Sequence, residues 1–177
     1  MIKFLIVGEN NIDKKKVVKL LLNNKDLFNV ANYFTTNEEE SNKEFHYYLS
    51  NKELHICYKN NALLFIKTLL YDSYGITLDS FYESNLIFMN TEDFNNISNK
   101  IFLSNNELII IWLDTKNHDH RRLKKEMKES TYLLEKINEI NLKYLYFLDI
   151  PEIEVMDVIV EYLKNPESRE ELLEKYS

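Results

Sequence analysis

The chain has 177 residues, 45% of them hydrophobic and 29% charged, enough to bury a real core and too apolar for a disordered segment. Its net charge of −7 opposes general nucleic-acid binding, although residues 14–16 and 121–128 form local basic patches. No apolar run approaches the ~18 residues of a membrane span, no secretory leader is legible, and a single Cys57 excludes an internal disulfide. A cytoplasmic protein is expected, with neither nucleic acid nor membrane as partner.

Residues 2–7 form a short continuous apolar run closed by Gly8, as expected for a strand buried on both faces. Residues 14–24 follow with Val17, Val18, Leu20, Leu21 and Leu22 on one side and lysines outside, predicting a helix. Residues 28–34 read as a second strand and 35–44, with Glu38, Glu39 and Glu40, as a solvated loop. Residues 45–49 and 54–58 read as a small β-hairpin, which would bury Cys57 as an inert thiol. Residues 60–74 carry Leu63, Leu64, Ile66, Leu69 and Leu70 at helical spacing, with Gly75 placed for a left-handed C-cap.

Residues 79–82 suggest a helical turn and 85–103 one or two short helices capped at Thr91 or Asp93. The aromatics Tyr71, Tyr74, Phe81, Tyr82, Phe88 and Phe94 read by default as core. Residues 108–113, Leu-Ile-Ile-Ile-Trp-Leu, are the best candidate for a central parallel strand, ending in Asp114. A long charged helix over 119–141 and a strand over 144–148 are predicted next. Pro151 suits the first turn of a helix over 152–164, and a short helical tail ends the chain within 166–177. Strands alternating with helices, without linkers or repeats, predict one α/β domain over 1–177. Its sheet is mainly parallel with helices on both faces, plus the hairpin excursion.

In such sheets ligands sit at the carboxyl ends of the strands, where Gly8, Asp114 and Asp149 all fall. The turn after the first strand half-matches the phosphate cradle G-x-x-x-x-G-K-[ST]: Gly8 and Lys14 agree, while Asp13 replaces the second glycine and Lys15 the hydroxyl residue. Asp13 there would need a positive φ and would turn its carboxylate toward the anion to be bound. Lys15 cannot ligate magnesium. His118-Asp119-His120 offers some metal-ligand chemistry, but histidines two apart diverge on a helix, so no metal site is assigned.

Beyond Gly8 and Lys14, the chain resembles the P-loop nucleotide kinases, and within them the deoxynucleoside monophosphate kinases of phages. Ile56-Cys57-Tyr58-Lys59-Asn60-Asn61-Ala62-Leu63 is similar to that family's strand and "DPLK" helix start, and Tyr74-Gly75-Ile76 to its "FGI" helix end. Residues 108–119 resemble its later strand and "DVRFPNE" turn, and residues 146–163 its final strand and helix. The resemblance implies nucleotide binding by Gly8, Asn11, Asp13, Lys14 and Lys15. In an active enzyme it implies Lys14 on the phosphates, Asp114 on metal or substrate, and Arg121 or Arg122 as the phosphoryl clamp.

The departures at Asp13 and Lys15, and a complement of only three arginines (Arg121, Arg122, Arg169), imply instead a degenerate relative. Such a protein would use no cofactor and would bind a protein partner, a second copy of itself or a nucleotide without phosphoryl transfer. ATP and magnesium enter only if the kinase is active. A receiver-like signalling domain is a further alternative, carried by Gly8-Glu9-Asn10 after the first strand. Asn, Lys, Ile, Tyr and Phe abound while Gly and Ala are two each, the mark of A/T-rich codons. A viral, phage or low-GC bacterial source is the expectation, with the host cytoplasm as location if viral.

Overall fold

The computed structural model describes residues 2–8, 13–24, 26–101, 107–114, 135 and 142–177. In chain order its elements are β1 (Ile2–Gly8), α1 (Lys14–Leu22), β2 (Tyr33–Thr35), β3 (His46–Tyr48), α2 (Asn51–Lys59), β4 (Leu63–Leu69) and β5 (Asp72–Thr77). There follow α3 (Leu78–Glu83), β6 (Leu86–Asn90), α4 (Thr91–Ile101), β7 (Glu107–Asp114), β8 (Lys143–Leu148), α5 (Glu152–Lys164) and α6 (Arg169–Tyr176). The chain divides into two compact units, Met1–Phe28 with Leu86–Ser177, and Asn29–Asn85. Where the sequence reads as one domain with a hairpin excursion, the excursion has a sheet of its own.

The first unit is built on a parallel sheet in the order β6-β1-β7-β8. Its inner strands are apolar on both faces because both faces are covered: Phe4, Leu5, Ile6 and Val7 of β1 and Ile109, Ile110 and Ile111 of β7 are all buried. Phe4 packs against Phe28 and Tyr162, with ring centroids 6.1 and 6.0 Å apart. The helix α1 buries Val17, Val18 and Leu21, and α5 buries Val155, Val158, Ile159 and Tyr162. The fold expectation of a mainly parallel sheet with flanking helices holds.

The described part of residues 85–103 departs from the expected helices: Leu86–Asn90 is a strand, and Thr91–Ile101 is helical. A four-residue apolar run reads alike as strand or buried helix by periodicity alone. The long helix expected over 119–141 lies outside the described residues, apart from Glu135. Residues 152–164 form the predicted helix, preceded by Pro151 as its cap, and the tail is helical over Arg169–Tyr176 after a 3₁₀ turn at Pro166–Ser168.

The second unit carries a sheet in the order β3-β2-β5-β4, with β2–β3 parallel and the other pairs antiparallel. Two expectations fail here. Residues 54–58 are not the second arm of a hairpin but part of α2. Ser50 accepts from the Glu53 amide at 3.3 Å, and its own amide donates to Glu53 Oε2 at 2.9 Å. This is a capping box, which commits the chain to a helix. The Ser50 hydroxyl, which donates to Glu53 Oε2 at 2.6 Å, and then the Ser50 amide hold the Glu53 carboxyl below its ordinary pKa. Cys57 is consequently half-buried on a helix, not sealed in a strand.

Residues 60–74 are not a helix either. Leu63–Leu69 and Asp72–Thr77 pair as an antiparallel hairpin, and Gly75 lies inside its second strand rather than capping anything. The aromatic segment splits: Phe81, Phe88 and Phe94 are core, whereas Tyr71 is almost wholly exposed and Tyr82 half so.

No side chain of α2 is buried, so its local stability rests on its cap. We expect Ser50→Ala to lower the local opening free energy of α2 by about 1 kcal/mol. Amide exchange of residues 54–60 reads this directly. Unchanged protection there means that something other than the cap holds the helix.

Candidate functional site

Parallel pairing aligns the ends of all four strands of the first unit. Gly8 lies opposite Asn90 on one side and Leu113 on the other, and Asp114 opposite Leu148. The carboxyl edge therefore gathers Gly8, Asn90, Asp114 and Asp149, together with the start of α1.

Asn11, with the rest of residues 9–12, lies outside the described residues. Beyond them Asp13 is the N-cap of α1, at φ −79° and ψ 71°. Its backbone is not left-handed, contrary to what a substitution for the cradle glycine leads one to expect. The short carboxylate instead turns back on the helix, where Oδ1 accepts from the Lys16 amide at 3.2 Å. An anion thus already stands at the positive end of α1, supplied by the chain itself.

Lys14 is buried, 7% exposed, and its ammonium donates to the Gly8 carbonyl at 2.9 Å. Gly8 and Lys14, six positions apart, do meet. Lys15 is half-buried, and Lys16 reaches Glu152 at the start of α5 at 2.9 Å. The Lys16 ammonium holds the Glu152 carboxyl below its ordinary pKa, chiefly by hydrogen bonding. Glu152 was not among the expected site residues, because its link to Lys16 spans 136 positions.

Asp114 ends β7 as predicted. Its Oδ2 accepts from the Tyr146 hydroxyl at 2.9 Å, and its carbonyl accepts from the Asp149 amide at 3.0 Å. Burial, with the hydrogen bond and charge of Asp114, pushes the Tyr146 phenol well above its ordinary pKa. Tyr146 packs edge-on against Trp112 with centroids 4.9 Å apart. Asp149 takes a left-handed φ of 52°, a conformation that aspartate tolerates better than most residues. Asp93, in the first turn of α4, is buried and accepts from Asn90 at 3.4 Å. Sequence reasoning had reached Asp93 only as a cap and had missed Tyr146. That contact depends on the β7–β8 register, for which no local signal exists.

Arg121, Arg122 and the His118-Asp119-His120 group lie outside the described residues. Among the described residues no group of three or more His, Cys, Asp or Glu side chains could hold a metal ion. Among them, too, no helix is long and apolar enough to cross a membrane.

No family model matches the sequence, and no curated protein matches it. Among solved structures, guanylate kinase from Anaplasma phagocytophilum is similar in fold, with a TM-score of 0.53 at 12% identity over 98% of this chain and 93% of that one. The fold, a four-stranded parallel sheet flanked by helices, resembles that of a guanylate kinase. At this identity the likeness speaks for architecture alone, and it does not single out the phage deoxynucleoside monophosphate kinases. Two of the motifs that suggested them fall on other elements in this kinase-like fold. The "DPLK"-like stretch runs from the end of α2 to the start of β4, and Tyr74-Gly75-Ile76 lies inside β5. The later strand and the final strand and helix do form, as β7, β8 and α5.

Proposed function

We infer that this chain is a kinase-fold protein that does not transfer phosphoryl groups and works by binding. The observation that carries the reading is the Asp13 carboxylate capping α1. A triphosphate entering there would meet a fixed negative charge where free backbone N–H donors are needed. The donor set also does not fit a magnesium ion: Lys15 stands at the hydroxyl position, and an ammonium cannot be a ligand. Lys16 is engaged with Glu152, and Lys14 with the Gly8 carbonyl. Binding of a protein partner, a second copy or a nucleotide without turnover remains as the chain's work.

A second reading, a divergent (deoxy)nucleoside monophosphate kinase, draws on the coverage of nearly the whole length of a guanylate kinase fold. In it Lys14 contacts the phosphates, Asp114 serves metal or substrate, and Arg121 or Arg122 clamps the transferred group. Guanylate would then be the first acceptor to try.

The two readings separate by thermal shift and by ADP release with ATP–Mg²⁺ and GMP. We expect neither a shift nor product from the natural chain, whereas a site filled at 100 times its Kd would add about 2.7 kcal/mol. Asp13→Gly with Lys15→Thr is expected to gain ATP–Mg²⁺ binding, since glycine replaces an N-cap at only a few tenths of a kcal/mol. A shift in the natural chain that disappears in Lys14→Ala, with ADP formed, establishes the active kinase instead.

A further inference from the structure

The register of the β4–β5 hairpin pairs Leu69 with Asp72, so Leu70 and Tyr71 form a two-residue loop. Both point into water, at 95% and 94% exposure. Leu70 also holds a left-handed φ of 55°. In a two-residue hairpin loop with a left-handed first position, glycine or asparagine fits without strain and a branched apolar residue does not. Glycine is scarce in this chain, but asparagine is among its commonest residues, so codon bias does not account for the leucine. Backbone strain and exposure both call for a polar residue here. Single exposed apolar side chains are ordinary, but an apolar pair at a strained tip, continued by the half-exposed Leu69, is not what folding selects.

Carboxylates border this tip. Asn37 donates to Asp72 Oδ2 at 2.9 Å, the Thr36 amide donates to the Ser73 carbonyl at 2.9 Å, and the Ser73 amide donates to Thr36 Oγ1 at 2.8 Å. These bonds fasten the loop after β2 to the start of β5, beside the hairpin turn, and that loop exposes Glu38 and Glu39. An apolar knob with an acidic border is thus fixed on the second unit.

We propose that the Leu70–Tyr71 tip docks a partner protein through an apolar stripe flanked by lysine and arginine, as on a basic amphipathic helix. Charge decides the occupant. A second copy would bring the same acidic border against itself in a chain of net charge −7, and anionic lipid headgroups would be repelled. A basic flank attracts the border while the stripe covers the knob. The inference goes beyond the cradle reading and stands whether or not phosphoryl transfer occurs.

The test is fluorescence anisotropy of the full chain with a labelled amphipathic peptide of leucine and lysine, and with its leucine–glutamate counterpart. The lysine peptide alone is expected to bind, more weakly as salt rises. Leu70→Asn with Tyr71→Ser should weaken that binding roughly tenfold. Leu70→Asn by itself should leave the thermal midpoint unchanged or raised, because asparagine suits the turn. Glu38→Gln with Glu39→Gln should flatten the salt dependence. Four results overturn the proposal. They are equal affinity for both peptides, binding unaffected by the tip variant, and either phosphatidylcholine-vesicle co-sedimentation or self-association of the natural chain that the tip variant abolishes.

Discussion

Replacing Gly75 with alanine should unfold the sheet of the second unit, at about 3 kcal/mol or more. A Cβ built at this position would overlap the Phe65 carbonyl oxygen and lie 2.9 Å from two carbons of the Phe34 ring. The ring could turn aside, but the carbonyl belongs to the neighbouring strand. It sits beside the register shift between Leu63 and Phe65, where the ladder is already irregular. Moving it means giving up cross-strand hydrogen bonds on β4. No positive φ is involved, so backbone freedom is not the reason for the glycine; space is. Denaturant unfolding, together with amide exchange across β4 and β5, measures the effect. Ile76→Val, one residue along and fully buried, is the control and should cost only about 1 kcal/mol. Equal midpoints for the two variants would show that β4 yields easily and that the argument from the Phe65 carbonyl is wrong.

Gly75 also shows how far the sequence could be read. The expectation that a glycine surviving such codon bias is needed for its backbone conformation fails here, because room is what the position lacks. The apolar positions between Leu63 and Leu70 satisfy a helical period, and a glycine after a helical pattern reads as a cap. Pairing with β5 overrode that pattern, and pairing is a non-local fact. Ser50 and Glu53, by contrast, spelled out a capping box three residues apart, and the polar turn reading passed over a signal that was present.

The parallel sheet was legible because burial on both faces erases alternation, leaving unbroken runs such as Ile109–Ile110–Ile111. The same rule placed Gly8 and Asp114 at one edge, since every strand of a parallel sheet ends on the same side. The partners that define the site's electrostatics were not legible. Tyr146 on Asp114 and Glu152 on Lys16 are set by packing between distant segments. Asp13 was recognised as a departure from the cradle, but its consequence was misjudged. A carboxylate one methylene from the backbone had a nearer use than straining its φ, which was to cap the helix it precedes.

The buried Lys3 makes a further element of the parallel sheet measurable. It lies on β1 with no exposed surface, and burial lowers its pKa from 10.5 to about 8. The folded state therefore releases this proton before the unfolded chain does. Between the two values the unfolded state holds more protons, so stability must rise with pH across that window and be lowest, and flat, below it. The full difference corresponds to about 3 kcal/mol at 1.36 kcal/mol per unit. Tyrosines set the upper bound. Burial raises Tyr162 to about 12 and Tyr146 further, so above the ordinary phenol value the unfolded chain ionises first and stability falls again. Denaturation free energies measured between about pH 8 and about pH 9.5, below the phenol range, should thus climb by roughly 1 to 2 kcal/mol in the natural chain. They should stay level in Lys3→Met, which keeps the length of the side chain without its amine. A natural chain whose stability is flat over that range, or a methionine variant that climbs as steeply, would mean that Lys3 is not the group that titrates. The charge buried in the first strand would then be stabilised enough by its surroundings to offset its loss of water.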